Sequence, residues 1–311
     1  MSQRLASISI DLDEVPRYAE IHGLEGPTGP AAHAVYDRCL PRLTAWLDEE
    51  SVRATFFVIG QDLERNANRI AVAALDDAGH EIGNHTYHHY YDLTRQAAAD
   101  IGEEVERGAA IIEDVCGKRP SGFRAPGYTV SDVLFSALEA SNVEYDSSVF
   151  PCPSYYAAKA AAMATIRVRG RKSASVLDTP AVLRAPREPY RIGRPYWRRG
   201  NGLLELPIGV TRMQLPYIGT SLILGGERIS ERLTKQMLGR KLINLELHGL
   251  DAADAVEDGL EALAPHRADL RRKATDKLRS LSAAIRVIRK AGYELVTLEE
   301  AARRLSSQPN R

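Results

Sequence analysis

Leu5-Ala6-Ser7-Ile8-Ser9-Ile10-Asp11-Leu12-Asp13 reads as a strand that runs into two carboxylates one residue apart, and the chain repeats this design along its length. Thr55-Phe56-Phe57-Val58-Ile59 reads as a buried strand, and Glu81-Ile82 opens another that leads into Asn84-His85-Thr86-Tyr87-His88-His89. A short strand near residues 122–124 ends at Arg124-Ala125-Pro126, residues 143–147 read as strand, and Leu203-Leu204-Glu205-Leu206 follows later. Leu242-Ile243-Asn244-Leu245-Glu246-Leu247 then delivers His248, and residues 294–298 form the last strand before a terminal helix.

Helical segments separate these runs. Tyr36, Leu40, Leu43 and Leu47 recur with helical spacing, and a helix at residues 70–75 stops at Gly79. Thr94 is positioned to cap a helix carrying Ile101, Val105, Ile112 and Val115 that ends at Gly117, and Ser131 to cap one with Leu134 and Leu138. Further helices are expected near residues 229–238 and around Leu278, Leu281, Ile285 and Ile288, stopped by Gly292. Apolar, unalternating strands separated by helices predict an α/β protein with a parallel sheet covered by helices, open or closed into a barrel.

Forty-one basic residues balance forty-one acidic ones, so no whole-molecule field favours nucleic acid, and none is expected as a partner. Cys39, Cys116 and Cys152 are odd in number and far apart, which fits a reduced compartment. The opening residues carry no long apolar run and no stretch reaches the ~18 apolar residues of a membrane span, so a cytoplasmic location without a transmembrane segment is expected. The sequence does not disclose an oligomeric state.

Polar clusters stand at four predicted strand ends, where α/β barrels build their sites. His85 and His89, four apart, lie on one side of a single helical turn and can offer ring nitrogens to one metal ion, with Asp13 or Asp11 supplying a carboxylate. Each cluster alone has a structural explanation: a cap for the aspartates, chance spacing for the histidines, a core role for His248, an ion pair for Arg124. Thr86 also stands where a zincin would need its glutamate. Their coincidence at successive strand ends points to a metal-dependent hydrolase.

With Ala54-Thr55-Phe56-Phe57-Val58-Ile59-Gly60, Phe123-Arg124-Ala125-Pro126-Gly127-Tyr128 and Leu245-Glu246-Leu247-His248 added, the ordered set resembles the polysaccharide deacetylases with a NodB-homology domain, carbohydrate esterase family 4. The spaced Asp11-Leu12-Asp13 in place of an adjacent aspartate pair resembles a branch holding cytoplasmic peptidoglycan-deacetylase-like and allantoinase-like proteins. The resemblance implies a distorted (β/α)7-type barrel over residues 1–305, with an irregular excursion at residues 152–202 and a tail at 306–311. It implies hydrolysis of an N-acetyl or N-formyl group on an amino sugar, nucleotide- or lipid-linked sugars included. By it Asp11 is the general base, Asp13, His85 and His89 are metal ligands, and Arg124 orients the base. The Tyr128 backbone N–H is part of an oxyanion site, and His248 is the general acid. Two imidazoles and a carboxylate suit zinc foremost, with cobalt, nickel or iron as alternatives. The family's usual carboxylate partner for the acid histidine is missing, and Asp251 and Asp254 are near in sequence but equally suited to capping. Alternative functions are hydrolysis of a small cyclic or linear amide, as in allantoinase-like proteins, and a metal-free glycan-binding module.

Within the excursion, Arg184, Arg187, Arg191, Arg194, Arg198 and Arg199 alternate with Tyr190, Tyr196 and Trp197. A solvated loop is one reading. The other is a substrate clasp in which Tyr196 and Trp197 stack on sugar and Arg198 and Arg199 hold phosphate.

Overall fold

The computed structural model describes residues 4–307, so the first three residues and residues 308–311 of the expected tail lie outside the described residues. In chain order the strands and α-helices are β1 (Leu5–Asp11), α1 (Val15–Ile21), α2 (Leu40–Glu49), β2 (Thr55–Val58), α3 (Asn66–Asp77), β3 (Glu81–Asn84), α4 (Ala98–Cys116), β4 (Gly122–Phe123), α5 (Asp132–Ala140), β5 (Tyr145–Asp146), α6 (Pro153–Val168), β6 (Tyr190–Ile192), β7 (Arg199–Glu205), α7 (Gly219–Met237), β8 (Leu242–His248), α8 (Ala274–Lys290), β9 (Glu294–Leu295) and α9 (Leu298–Ser306). The strands form one sheet in the order β6-β7-β5-β4-β3-β2-β1-β8, with β9 also paired to β1. Every pairing is parallel except β6 with β7, an antiparallel edge that the expectation of a parallel sheet did not contain.

Past β7 the chain turns back against β8. The Gly209 N–H donates to the Asn244 carbonyl at 3.0 Å, and Asn244 Nδ2 to the Leu206 carbonyl at 3.1 Å. The sheet is therefore curled into a half-barrel with helices around it, the distorted barrel that the resemblance implied.

Contrary to the expectation of unalternating strands, β1 and β8 sort their side chains strictly by parity, as a pleated strand must when its two faces differ. Ala6, Ile8, Ile10 and Leu12, with Ile243, Leu245 and Leu247, face the helix layer and pack with Leu43 and Trp46 of α2 and Leu281, Ile285 and Ile288 of α8. Leu5 and Leu242 face the other way, joining Phe57, Tyr145, Leu204 and Val296 in an apolar plug inside the curl. The same face continues toward the strand C-termini as Ser9 and Asn244, hydrogen-bonded to each other at 3.1 Å, and then as Asp11 and His248, which are register partners. The barrel interior is thus mainly hydrocarbon at one end, where the Tyr145 hydroxyl meets buried Glu81, and polar at the other.

Glycines let the plug close. A Cβ on Gly122 would lie 2.2 Å from the Tyr145 ring, and one on Gly83 would lie 2.6 Å from Phe57. Helix termini mostly follow the expected chemistry: Ser131 caps α5 by accepting from Leu134 N at 3.1 Å, and α4 ends on Gly117 with φ 70°. Thr94 does not cap α4, which starts three to four residues later with Ala97 at its N-cap. α7 begins at Gly219, ten residues before the expected start, because Gly225 and the positive φ of Gly226 break the helical pattern without ending the element. The excursion contains α6 and the β6–β7 hairpin rather than irregular chain alone.

Candidate active site

Parallel pairing brings the C-terminal ends of β1, β2, β3, β4 and β8 to one mouth of the curl. Asp11 and Asp13 share a face because they are two apart in extended chain, with Leu12 buried in the core between them. His85 and Arg124 directly follow β3 and β4, and the Arg124 N–H donates to the Asn84 carbonyl at 3.0 Å.

His85 Nε2 lies 3.4 Å from Asp13 Oδ1 and His89 Nε2 lies 3.5 Å from Asp13 Oδ2. The two histidines do not share a helical turn as expected. They sit on an irregular loop in which Thr86 and His89 adopt left-handed φ of 66° and 61°. His89 N–H is held by Thr86 Oγ1 at 3.0 Å. The His85 Nδ1–H donates to the Arg124 carbonyl at 2.7 Å, which orients the ring with Nε2 toward Asp13; against burial, Asp11 and Asp13 raise this imidazole.

A cation fits here on the structure's own terms. One donor atom from each of Asp13, His85 and His89 lies within 4.8 Å of the others. Both ring nitrogens of His89 and Asp13 Oδ1 are buried with no hydrogen-bond partner among the described residues, a situation that costs ~1–3 kcal/mol per group when nothing satisfies it. Burial also holds the His89 imidazole down at about 3, so the ring is neutral and a lone pair is free to ligate. Two nitrogens and a carboxylate suit a borderline divalent ion.

Asp11 is held separately. Arg124, with no exposed surface, donates from Nη1 to Asp11 Oδ1 at 2.7 Å, from Nη2 to Ser9 Oγ at 2.8 Å and Ser147 Oγ at 2.9 Å, and from Nε to the Ser147 carbonyl at 2.8 Å. Its guanidinium carbon lies 4.2 Å from the centre of the Phe57 ring. With this many bonds the guanidinium cannot swing, and it fixes one carboxylate oxygen of Asp11. The other oxygen lies 3.9 Å from His85 Nε2. Burial raises the Asp11 carboxyl, with Arg124 pulling the other way.

His248 has 22% of its side chain exposed, while Asp11, Asp13, His85 and His89 are almost fully buried, so the mouth opens at His248. Its Nδ1 forms an ion pair with Glu246 Oε1 at 2.9 Å. Against the downward push of burial, that carboxylate raises the imidazole to about 10. Glu246 is therefore the partner that sequence reading did not find. Asp251 instead accepts the His248 backbone N–H at 3.0 Å, and Asp254 caps the N–H groups of Val256 and Glu257. The signal for Glu246 was present: Asn244, Glu246 and His248 alternate with Ile243, Leu245 and Leu247.

Two groups of expected site residues meet other partners in the structure. The Tyr128 backbone N–H already donates to the Ala125 carbonyl at 3.1 Å, so it is not a free oxyanion donor; the phenol is what reaches the site, 3.4 Å from His248 Nε2. The proposed clasp residues do not join the cluster. Tyr196 is buried against Phe135, with its N–H on Asp132 at 2.7 Å, and Trp197 packs edge-on against Tyr196. Arg199 reaches the Pro189 carbonyl and the Tyr190 ring, and Arg198 is exposed on the same hairpin. That hairpin packs along α5 at the edge of the sheet, which keeps all four residues with their own segment.

A family model described as polysaccharide deacetylase matches residues 28–145, the stretch that carries His85, His89, Arg124 and Tyr128. The chain is 25% identical over 147 residues to a peptidoglycan deacetylase of Helicobacter pylori, covering 47% of this chain and 49% of that one. It is 28% identical over 131 residues to a peptidoglycan-N-acetylglucosamine deacetylase of Bacillus cereus, covering 42% and 57%. The chain thus matches about half the length of these curated relatives. Its fold is similar to the crystal structure of a Mycobacterium smegmatis protein assigned to the polysaccharide deacetylases, with a TM-score of 0.62, 18% identity, and coverage of 100% of this chain and 93% of that one.

Proposed function

We propose, from the premise that the chain carries a polysaccharide deacetylase domain of the NodB-homology type in carbohydrate esterase family 4, that it hydrolyses the acetamido group of an N-acetylated amino sugar within a glycan. The observation that carries this reading is the juxtaposition, at one mouth, of two groups of opposite character: Asp13 with His85 and His89, and Asp11 with Glu246 and His248. The first offers ligands and the second offers a base and a charged acid.

Asp13, His85 and His89 would hold a divalent ion, zinc foremost, with cobalt, nickel or iron also suited. When bound, such an ion polarises the acyl carbonyl and lowers the pKa of water from ~15.7 toward ~7. Asp11 takes the proton of the attacking water, its position set by Arg124. The water oxygen adds to the acyl carbon and the carbon–nitrogen bond breaks. Nitrogen leaves poorly unless protonated, and His248, kept charged by Glu246, supplies that proton. The Tyr128 phenol steadies His248. The products are acetate and the free amine.

The proposal takes residues 1–305 as one domain, since β5 before the excursion and β8 after it belong to the same sheet. A nucleotide or lipid carrier is left out of it, because the arginines invoked to hold phosphate stay with the hairpin. No helix among the described residues is long and apolar enough to cross a membrane. A cytoplasmic location rests on Cys39, Cys116 and Cys152, none of which forms a disulfide. The test is acetate release from N-acetylglucosamine oligomers and peptidoglycan by metal-loaded protein, with loss on chelation and return on adding zinc. A protein holding one metal per chain that releases acetate from neither would refute the reading.

A further inference from the structure

α6 is a 16-residue helix with a single buried residue, Ile166, so its attachments rather than a hydrophobic face decide where it lies. At its start the Tyr155 ring packs on Tyr128 and Phe150, the Tyr156 hydroxyl donates to the Tyr128 carbonyl at 3.4 Å, and Lys159 Nζ donates to the Gly127 carbonyl at 3.2 Å. Just beyond its end, Ser173 Oγ donates to the Ile21 carbonyl at 2.6 Å and the Ala174 N–H to the Glu20 carbonyl at 3.0 Å. α6 therefore bridges two segments that both leave the mouth: the loop after β4, and α1, which starts two residues after Asp13.

The far end of this bridge is cationic. Arg167, Arg169, Arg171 and Lys172 fall within six residues, and among the described residues none of them pairs with a carboxylate. A helix C-terminus attracts positive charge within its last turn, which accounts for Arg167. It does not account for the other three, which follow the last helical residue, Val168. Beside them, His22 and His266 have their rings 5.8 Å apart. Burial foremost, with Arg267, His266 and Arg171 adding to it and Asp269, the ion-pair partner of Arg267, opposing, holds His22 down at about 4. The patch connects to the catalytic mouth through side chains: the Arg267 guanidinium carbon lies 4.8 Å from the centre of the Tyr18 ring, which meets His248 edge-on at 5.8 Å. α1 starts two residues after Asp13 and ends on its C-cap His22, so nine steps along the chain, ~14 Å at ~1.5 Å per residue, set the two ends apart, a span that a glycan of several sugars covers and a single sugar does not.

We propose that Arg167, Arg169, Arg171 and Lys172, with His22 and His266, form an anion-recognition site that makes this chain select N-acetylated glycans bearing carboxylate or phosphate groups. The site deepens the deacetylase reading and rests on it for the word N-acetylated. Guanidinium forks suit both carboxylate and phosphate, so the test separates these two sources of charge.

Binding of three probes to the metal-loaded full chain would be measured by calorimetry at low and moderate salt: a neutral N-acetylglucosamine tetramer, a peptidoglycan tetrasaccharide bearing carboxylates, and a phosphorylated N-acetylglucosamine tetramer. At least one charged probe should bind about tenfold tighter than the neutral one at low salt, and the advantage should shrink as salt is added. Replacing Arg167, Arg169, Arg171 and Lys172 together by alanine should erase that advantage while leaving neutral binding and thermal unfolding unchanged. Equal binding of charged and neutral probes by the unaltered protein, or a variant that keeps the advantage, overturns the proposal. Tighter binding of duplex DNA or anionic vesicles than of either charged glycan also overturns it. Charge-selective binding without acetate release from any probe would remove the deacetylase reading and leave the anion site standing.

Discussion

Glu246→Gln keeps the shape of the side chain beside His248 and removes its charge. In the folded protein the Glu246 carboxylate, 2.9 Å from Nδ1, outweighs burial and holds the imidazole at about 10. An unperturbed imidazole titrates near ~6.5, and at ~1.4 kcal/mol per pKa unit the difference is on the order of 5 kcal/mol in favour of the charged ring. Without the carboxylate, burial is opposed only by Asp11 and Asp13, and the pKa should drop toward ~6.5. At pH 8 such a group is protonated only about one time in thirty. If His248 is the acid, kcat for acetate release by the variant should fall ~30-fold at pH 8 and only ~twofold near pH 6.5. The same variant tests linkage. Because the folded pKa lies above the unfolded one, the ring's contribution to stability is complete below pH ~6.5 and fades as pH rises through about 10. The urea stability difference between the two proteins should therefore be larger at pH 6 than at pH 10. Proton NMR of the imidazole and the kcat–pH profile are the assays. A variant with an unchanged profile and a ring still charged above pH 8 would refute the reasoning.

Three further outcomes are expected. Asp11→Asn should lower kcat by ~10²–10⁴-fold while leaving metal content intact, and turnover close to the unaltered protein's would assign the base elsewhere. Arg124→Ala leaves the Asp11 carboxylate buried without its counter-charge and should destabilise by ~3–5 kcal/mol in urea unfolding; a loss under ~1 kcal/mol would mean that Arg124 is not the clamp described. Gly122→Ala forces a methyl against the Tyr145 ring and should cost ~1–3 kcal/mol, whereas an undiminished melting temperature would show that the interior plug yields easily.

How much of this was legible in the sequence differs from element to element. The alternation of strands and helices placed Asp13, His85, Arg124 and His248 at strand ends, and parallel pairing does the rest, since it brings successive C-termini together whatever the loops do. Spacing was less informative than position. His85 and His89 meet, but through left-handed Thr86 and His89 rather than a helical turn, so the i, i+4 reading found the right neighbours for the wrong reason. Glu246 was overlooked because the β8 segment was read as an apolar run, although its polar residues mark the interior face at every second position. The excursion gave no periodic signal because α6 buries one residue and is held by side-chain and backbone bonds at its ends. Arginine content drew attention to the β6–β7 hairpin, where Arg191, Arg194 and Arg199 are occupied by carbonyls and by Glu139. The residues 167–172 segment, with as dense a charge and no carboxylate partner among the described residues, passed without notice.

The most direct measurement is metal stoichiometry by elemental analysis of the purified chain, taken alongside acetate release from the same sample, for the unaltered protein and for the His85→Ala/His89→Ala variant. The account predicts one divalent ion per chain and metal-dependent acetate release from an N-acetylated glycan, with both lost in the variant while the fold, monitored by circular dichroism, is retained. A folded variant that still holds one ion per chain, or that still releases acetate, would contradict it.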